Sequence, residues 1–164
     1  MRGCIYPGSF DPITCGHLDL IRRLASMYDK VTVTVMINRA KVGCIPSEER
    51  VKLIRKACAG IRNVDVELWH GLLADYAAAH PGFVVARGIR NDSDFEAEMT
   101  AAAVNRRLNP GMETVFLPAS DRWGDVSSSA VREIASFGGD YTPFVPGCIR
   151  RDLKKWLKPV KEVL

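Results

Sequence analysis

The sequence predicts an α/β fold, a doubly wound parallel sheet of five strands with helices on both faces. Three observations predict it. Apolar, β-branched runs alternate with helical patterns from end to end, and such crossovers return each strand parallel to the last. The strand candidates are continuous apolar runs, as strands are when both faces are covered. The polar clusters all follow a strand, which is where open sheets of this class hold ligands.

Strands are expected at 2–6, 31–37, 64–68, 83–86 and 114–117. The helix after the first strand spans 17–28, with Leu18, Ile21, Leu24, Ala25 and Tyr28 on one face and Arg22, Arg23 and Ser26 on the other. A second helix opens at Ser47-Glu48-Glu49-Arg50 behind Pro46 and turns Val51, Ile54, Ala57 and Cys58 inward. A short helix at 72–80 stops at Pro81-Gly82, and a longer one at 93–108 stops at Asn109-Pro110-Gly111. Helices at 128–136 and 146–157 follow. With no linker, low-complexity stretch or repeat, residues 1–164 are expected to form a single domain whose C-terminal helix covers about 146–157.

Hydrophobic residues make up 47% and charged residues 26%, the balance of a soluble globular chain, and no apolar run reaches the length of a membrane span. No signal-peptide pattern opens the sequence, so a cytoplasmic location is expected, with no membrane partner. The five cysteines (Cys4, Cys15, Cys44, Cys58, Cys148) are odd in number, scattered and without C-x-x-C, which argues against a disulfide framework or a structural zinc site. Cys4 and Cys58 read as buried thiols, and no motif supports Cys15 as a nucleophile. Much of the net charge of +4 comes from Arg150, Arg151, Lys154, Lys155, Lys158 and Lys161. Trp156 is the one aromatic among them, so this tail reads as a solvated helix face and no nucleic-acid partner is expected.

The common nucleotide and hydrolase fingerprints are absent: no G-x-G-x-x-G after the first strand, no P-loop, no H-E-x-x-H and no nucleophile elbow. Four groups remain. Gly8-Ser9-Phe10-Asp11 and Thr14-Cys15-Gly16-His17 lie where a strand turns into a helix, whose unpaired N–H groups and dipole suit a phosphate. A plain turn capped by Thr14 or Asp11 is the structural alternative. Lys41 follows the second strand and is otherwise a solvated charge. Arg87-Gly88-Ile89-Arg90 ends the fourth strand, with Glu98 and Asn105 along the next helix. Two arginines about a glycine suit bidentate phosphate contacts, or else a surface ion pair with Asp92 or Asp94. Last, Trp123-Gly124-Asp125-Val126 leads into Ser127-Ser128-Ser129 at a helix start, where hydroxyls and free N–H groups again favour an anion.

These four groups, in this order, resemble the nucleotidyltransferase superfamily with a T/H-x-G-H signature, and within it the phosphopantetheine adenylyltransferase family, over roughly residues 2–157. The resemblance implies a Rossmann-like nucleotidyltransferase fold. It implies adenylyl transfer from ATP to 4′-phosphopantetheine, giving dephospho-coenzyme A and pyrophosphate with Mg²⁺ as cofactor, in coenzyme A biosynthesis. It also implies a homohexamer under feedback by coenzyme A, and no protein-held metal. The family's roles fall on matching positions. His17, Lys41 and Arg90 are expected to be catalytic. ATP is expected at Ser9, Phe10, His17, Gly88, Ile89, Arg90, Glu98, Trp123, Gly124, Asp125, Val126, Ser127, Ser128 and Ser129. The phosphopantetheine is expected at Ser9, Lys41, Leu73 and Arg87. Cys15 replaces the family's usual Asn, the Lys41 loop lacks its Pro and second Lys, and Gly124-Asp125 replace bulkier residues. Adenylylation of nicotinate mononucleotide, cytidylylation of glycerol phosphate and a non-catalytic ATP-binding module are the alternatives.

Overall fold

A computed structural model describes residues 2–37 and 43–160 of the chain. Five parallel strands form one sheet: β1 (Gly3–Gly8), β2 (Lys30–Met36), β3 (Val64–Trp69), β4 (Phe83–Ile89) and β5 (Thr114–Pro118), in the order β3-β2-β1-β4-β5. The chain winds outward from β1 to β3, then returns to the other side of β1 for β4. The switch point is therefore between β1 and β4, and a crevice opens past their carboxyl ends.

The helices are α1 (Cys15–Met27), α2 (Ser47–Ala57), α3 (Leu73–Ala78), α4 (Asp92–Leu108), α5 (Ser128–Ser136) and α6 (Arg150–Leu153). Alternate β1 residues serve two cores. Cys4 and Tyr6 join the larger one with Ile21 and Leu24 of α1, Val51 and Ile54 of α2, and Val131 of α5. Ile5 joins the smaller one with Val85, Met112 and Tyr76 of α3. Burial on both faces explains why the strands read as unbroken apolar runs.

Two boundaries differ from expectation in a way that matters. β1 and β4 run to Gly8 and Ile89, beyond the apolar segments, because the parallel ladder continues through Gly8↔Val35 and Gly88↔Leu117. Arg87, Gly88 and Ile89 thus sit on a strand rather than in a loop. A Cβ on Gly88 would overlap Leu20 Cδ1 of α1, so the close approach of this helix requires glycine there.

The expected helix at 146–157 is a correction. It is a 3₁₀ turn at Gly147–Ile149 running into the four-residue α6, after which Leu153 O accepts from both Trp156 N and Leu157 N. Pro159 disfavours helical backbone at Lys158, and burial of Ile149, Leu153 and Leu157 holds this irregular path. Leu153→Ala should therefore cost about 2–5 kcal/mol in urea unfolding, the range for a buried Leu, despite its place near the chain's end.

Candidate active site

The turn from β1 to α1 is built around Phe10 and Thr14. Phe10 adopts φ 47°, a conformation rare outside glycine, and its buried ring packs edge-on against Tyr6 and His17 at centroid distances of 5.5 and 5.1 Å. Thr14 caps α1: its hydroxyl accepts from His17 N (3.3 Å), while its own N–H donates to His17 Nδ1 (3.1 Å). Because Nδ1 accepts, the ring proton of the neutral form is on Nε2. Burial first, then the Arg90 and Arg87 charges, push His17 down to about 4. His17 is therefore a neutral donor near pH 7.

A cleft of about 480 Å³ lies over the switch point. It brings together Ser9, Phe10, His17, Arg87, Gly88, Arg90, Glu98, Trp123, Val126, Ser127, Ser128 and Ser129, drawn from four separate loops. Ile89, Gly124 and Asp125 are not in its wall: Ile89 pairs with Pro118 and its carbonyl accepts from Ala119 N (2.7 Å), and Asp125 is exposed. Leu73 lines an adjoining cavity of about 450 Å³, which shares Pro7, Gly8, Ser9, Arg87 and Glu98 with the first. Lys41 lies outside the described residues.

The arginines arrive already partnered. Arg87 donates Nε and Nη2 to the two oxygens of Glu98 (2.6 and 2.5 Å) and Nη1 to Pro7 O (2.6 Å). Glu98, expected on ATP, thus orients Arg87, one partner that the spacing to Asp92 and Asp94 had not suggested. Arg90 makes a bidentate pair with Asp94 (2.7 and 3.0 Å), which holds that carboxyl below its usual range.

The serines divide their work. Ser127 caps α5 by accepting from Ala130 N (3.0 Å), and Ser128 donates its hydroxyl to Pro12 O (2.7 Å). Ser129 Oγ accepts from Arg132 Nη2 (3.3 Å). The Ser128 and Ser129 N–H groups stand in the first turn of α5, where no preceding helical carbonyl can take them. Cys15 is half-buried and its thiol is pushed up by burial, the reverse of what a nucleophile needs.

Sequence reasoning missed Asp11 and Arg50. Asp11 caps nothing on α1; it is 6% exposed and accepts from Cys44 N (2.8 Å) and Ile45 N (2.9 Å). Arg50 lies 3.6 Å from it and donates to Ile45 O (2.6 Å) and Ser9 O (3.2 Å). The available signal was Arg50 itself, one turn before Ile54 on the apolar stripe of α2, since a charge there is buried only when paired.

Two predictions follow from this geometry. The His17 ring, followed by NMR, should titrate near pH 4 rather than near 6.5. Its folded value lies below its unfolded one, so the unfolded chain takes the proton first; the group leaves stability unchanged above about pH 6.5 and weakens it as pH falls toward about 4. Asp11→Ala should cost about 3–5 kcal/mol in denaturant unfolding, because Arg50 is left buried without its counter-charge.

Comparison with known proteins agrees with this geometry. The family model described as cytidylyltransferase-like matches residues 5–134. A phosphopantetheine adenylyltransferase from Caldanaerobacter subterraneus subsp. tengcongensis is 44% identical over 96% of this chain and 99% of the relative. Relatives of the same name from Clostridium perfringens (46%, over 98% of each) and Streptomyces coelicolor (45%, over 96% of this chain and 99% of the relative) are similar in extent. Among solved structures, the Plasmodium falciparum nicotinic acid mononucleotide adenylyltransferase complexed with NaAD superposes with a TM-score of 0.67, covering 96% of this chain and 99% of that one. At 13% identity it shows the fold alone, a Rossmann-like nucleotidyltransferase fold. By family model and by full-length identity, the chain belongs to the phosphopantetheine adenylyltransferases, within the cytidylyltransferase-like group.

Proposed function

We propose that this chain transfers the adenylyl group of ATP to 4′-phosphopantetheine, releasing pyrophosphate and dephospho-coenzyme A. The observation that carries the reading is the pair of adjoining cavities with a common wall at Ser9 and Arg87. The first is ringed by arginines, serines and a helix N-terminus and suits a triphosphate. The second is lined by Met36, Ile37, Leu73, Val85, Ala101, Ala102 and Met112 and suits a slender, mostly apolar arm. A phosphate at the end of that arm meets the nucleotide at the shared wall.

The acceptor phosphate is largely a dianion at neutral pH, with its second pKa about 6, so no general base is needed. One of its oxygens bonds to the α-phosphorus of ATP as the bond from that phosphorus to the bridging oxygen breaks, and the electron pair leaves with pyrophosphate. His17 donates Nε2–H to the α-phosphate without adding a charge. Arg90 and the α5 N–H groups hold the departing phosphates, and Arg87 with Lys41 holds the acceptor. Each of these acts by positioning and by fixed dipoles.

Mg²⁺ supplies charge neutralisation on the phosphates, and we propose that it arrives with ATP. Among the described residues no three His, Cys, Asp or Glu groups converge, and Asp94 and Glu98 are taken by arginines, so no step is assigned to a metal held by side chains. We place the reaction in the cytoplasm; all five cysteines are free thiols, which fits a reducing compartment. No helix among the described residues is long and apolar enough to cross a membrane. For assembly we propose a homo-oligomer, a hexamer by resemblance. In support, α4 buries none of its 17 residues and leaves Phe95, Met99, Val104 and Leu108 between 45% and 57% exposed.

The test is pyrophosphate release with ATP and Mg²⁺, offering 4′-phosphopantetheine, nicotinate mononucleotide, or glycerol 3-phosphate with CTP. Release with phosphopantetheine alone is expected, and His17→Ala should lower turnover by about 10²–10³-fold while ATP still binds. Release with another acceptor alone, or none at all, overturns the reading.

A further inference from the structure

Four arginines line the cleft: Arg50, Arg87, Arg90 and Arg132. Three of them face a carboxylate closely. Arg87 and Arg90 are each in a bidentate pair, with Glu98 and Asp94, and Arg50 lies 3.6 Å from the buried Asp11. Arg132 differs. Its Nη1 donates to the Asp11 backbone carbonyl (2.5 Å) and its Nη2 to Ser129 Oγ (3.3 Å), both neutral acceptors. Its nearest carboxylate oxygen among the described residues, Asp11 Oδ2, is 3.9 Å away, beyond hydrogen bonding and already held by Cys44 N. A guanidinium carries five N–H donors, so these two bonds leave it with donors as well as charge. Of the cleft's arginines it is the one whose charge is least neutralised.

The bond to Ser129 has a second effect. A hydroxyl whose oxygen accepts from Arg132 must send its own proton elsewhere, and Ser129 is exposed at the α5 N-terminus, beside the cleft. We infer that Arg132 binds the terminal phosphates of the nucleotide and fixes Ser129 as a donor to the same group. This rests on the proposed seating of the β- and γ-phosphates at the start of α5. The Asp11 carbonyl anchors the guanidinium, so little side-chain freedom is lost when the phosphates arrive.

The test compares ATP with AMP, which lacks both terminal phosphates, by calorimetric titration of wild type, Arg132→Gln and Arg132→Lys. Arg132→Gln should weaken ATP binding by about 10-fold or more and leave AMP binding within about two-fold, with Arg132→Lys in between. ATP binding unchanged, or ATP and AMP weakened equally, overturns the inference, because a merely structural anchor would not distinguish the two ligands. If Arg132→Gln does not fold, Arg132→Lys carries the same comparison. Turnover is not part of this readout. Wild type that binds ATP yet releases no pyrophosphate therefore sinks the adenylyl-transfer reading and leaves the Arg132 contrast intact.

Discussion

The carboxylate of Asp11 is the constraint on which the site depends. It is buried at the β1–α1 turn, and its two oxygens take the backbone N–H groups of Cys44 and Ile45 in the loop ahead of α2. Arg50 neutralises it and reaches onward to Ser9 O, while Arg132 of α5 clasps its backbone carbonyl. Three segments that are remote in sequence thus close over the ends of the strands through one residue. A buried charge of this kind is tolerable only when fully partnered, and that requirement makes the arrangement specific. Gly43 belongs to the same constraint, since a Cβ there would overlap the Arg50 guanidinium.

With the loops fixed, the chemistry needs little more than placement. Arg87 and Arg90 are held in fork-to-fork pairs before any ligand arrives, so their donors are aimed in advance. Those pairs also temper the positive charge of an otherwise strongly cationic cleft. His17 follows the same logic: Thr14 sets its tautomer, Phe10 sets its ring plane, and burial beside two arginines keeps it uncharged. A neutral imidazole can stabilise charge that develops on a phosphate without binding the ground state as tightly as a cation would.

Much of the fold was legible in the sequence because it is written locally. Apolar runs bounded by turn residues located all five strands, and Thr14, Ser127 and the Asn109-Pro110-Gly111 breaker marked helix ends close to where they fall. What was not legible depends on partners far along the chain. The Asp11–Arg50 pair joins positions 39 residues apart, and Asp11 reads in isolation as one more turn-former. The strand ends were placed short because the ladder carries Gly8 and Gly88 by register with β2 and β5, which no local pattern reveals. The tail at 146–157 has helical spacing, yet burial of Ile149, Leu153 and Leu157 is met by a 3₁₀ turn and a single α turn. Glu98 was recognised as part of the site, while its pairing with Arg87 across eleven residues needed the structure.

The central claim is that the protein works by positioning two phosphates for one direct displacement, with no covalent intermediate on the chain. The stereochemical course at the α-phosphorus tests it most directly. Adenylyl transfer from a single diastereomer of ATP carrying sulfur on the α-phosphorus should give product with inverted configuration, as one in-line attack requires. Retention would mean two successive displacements through an enzyme-bound adenylyl group, and would contradict the claim.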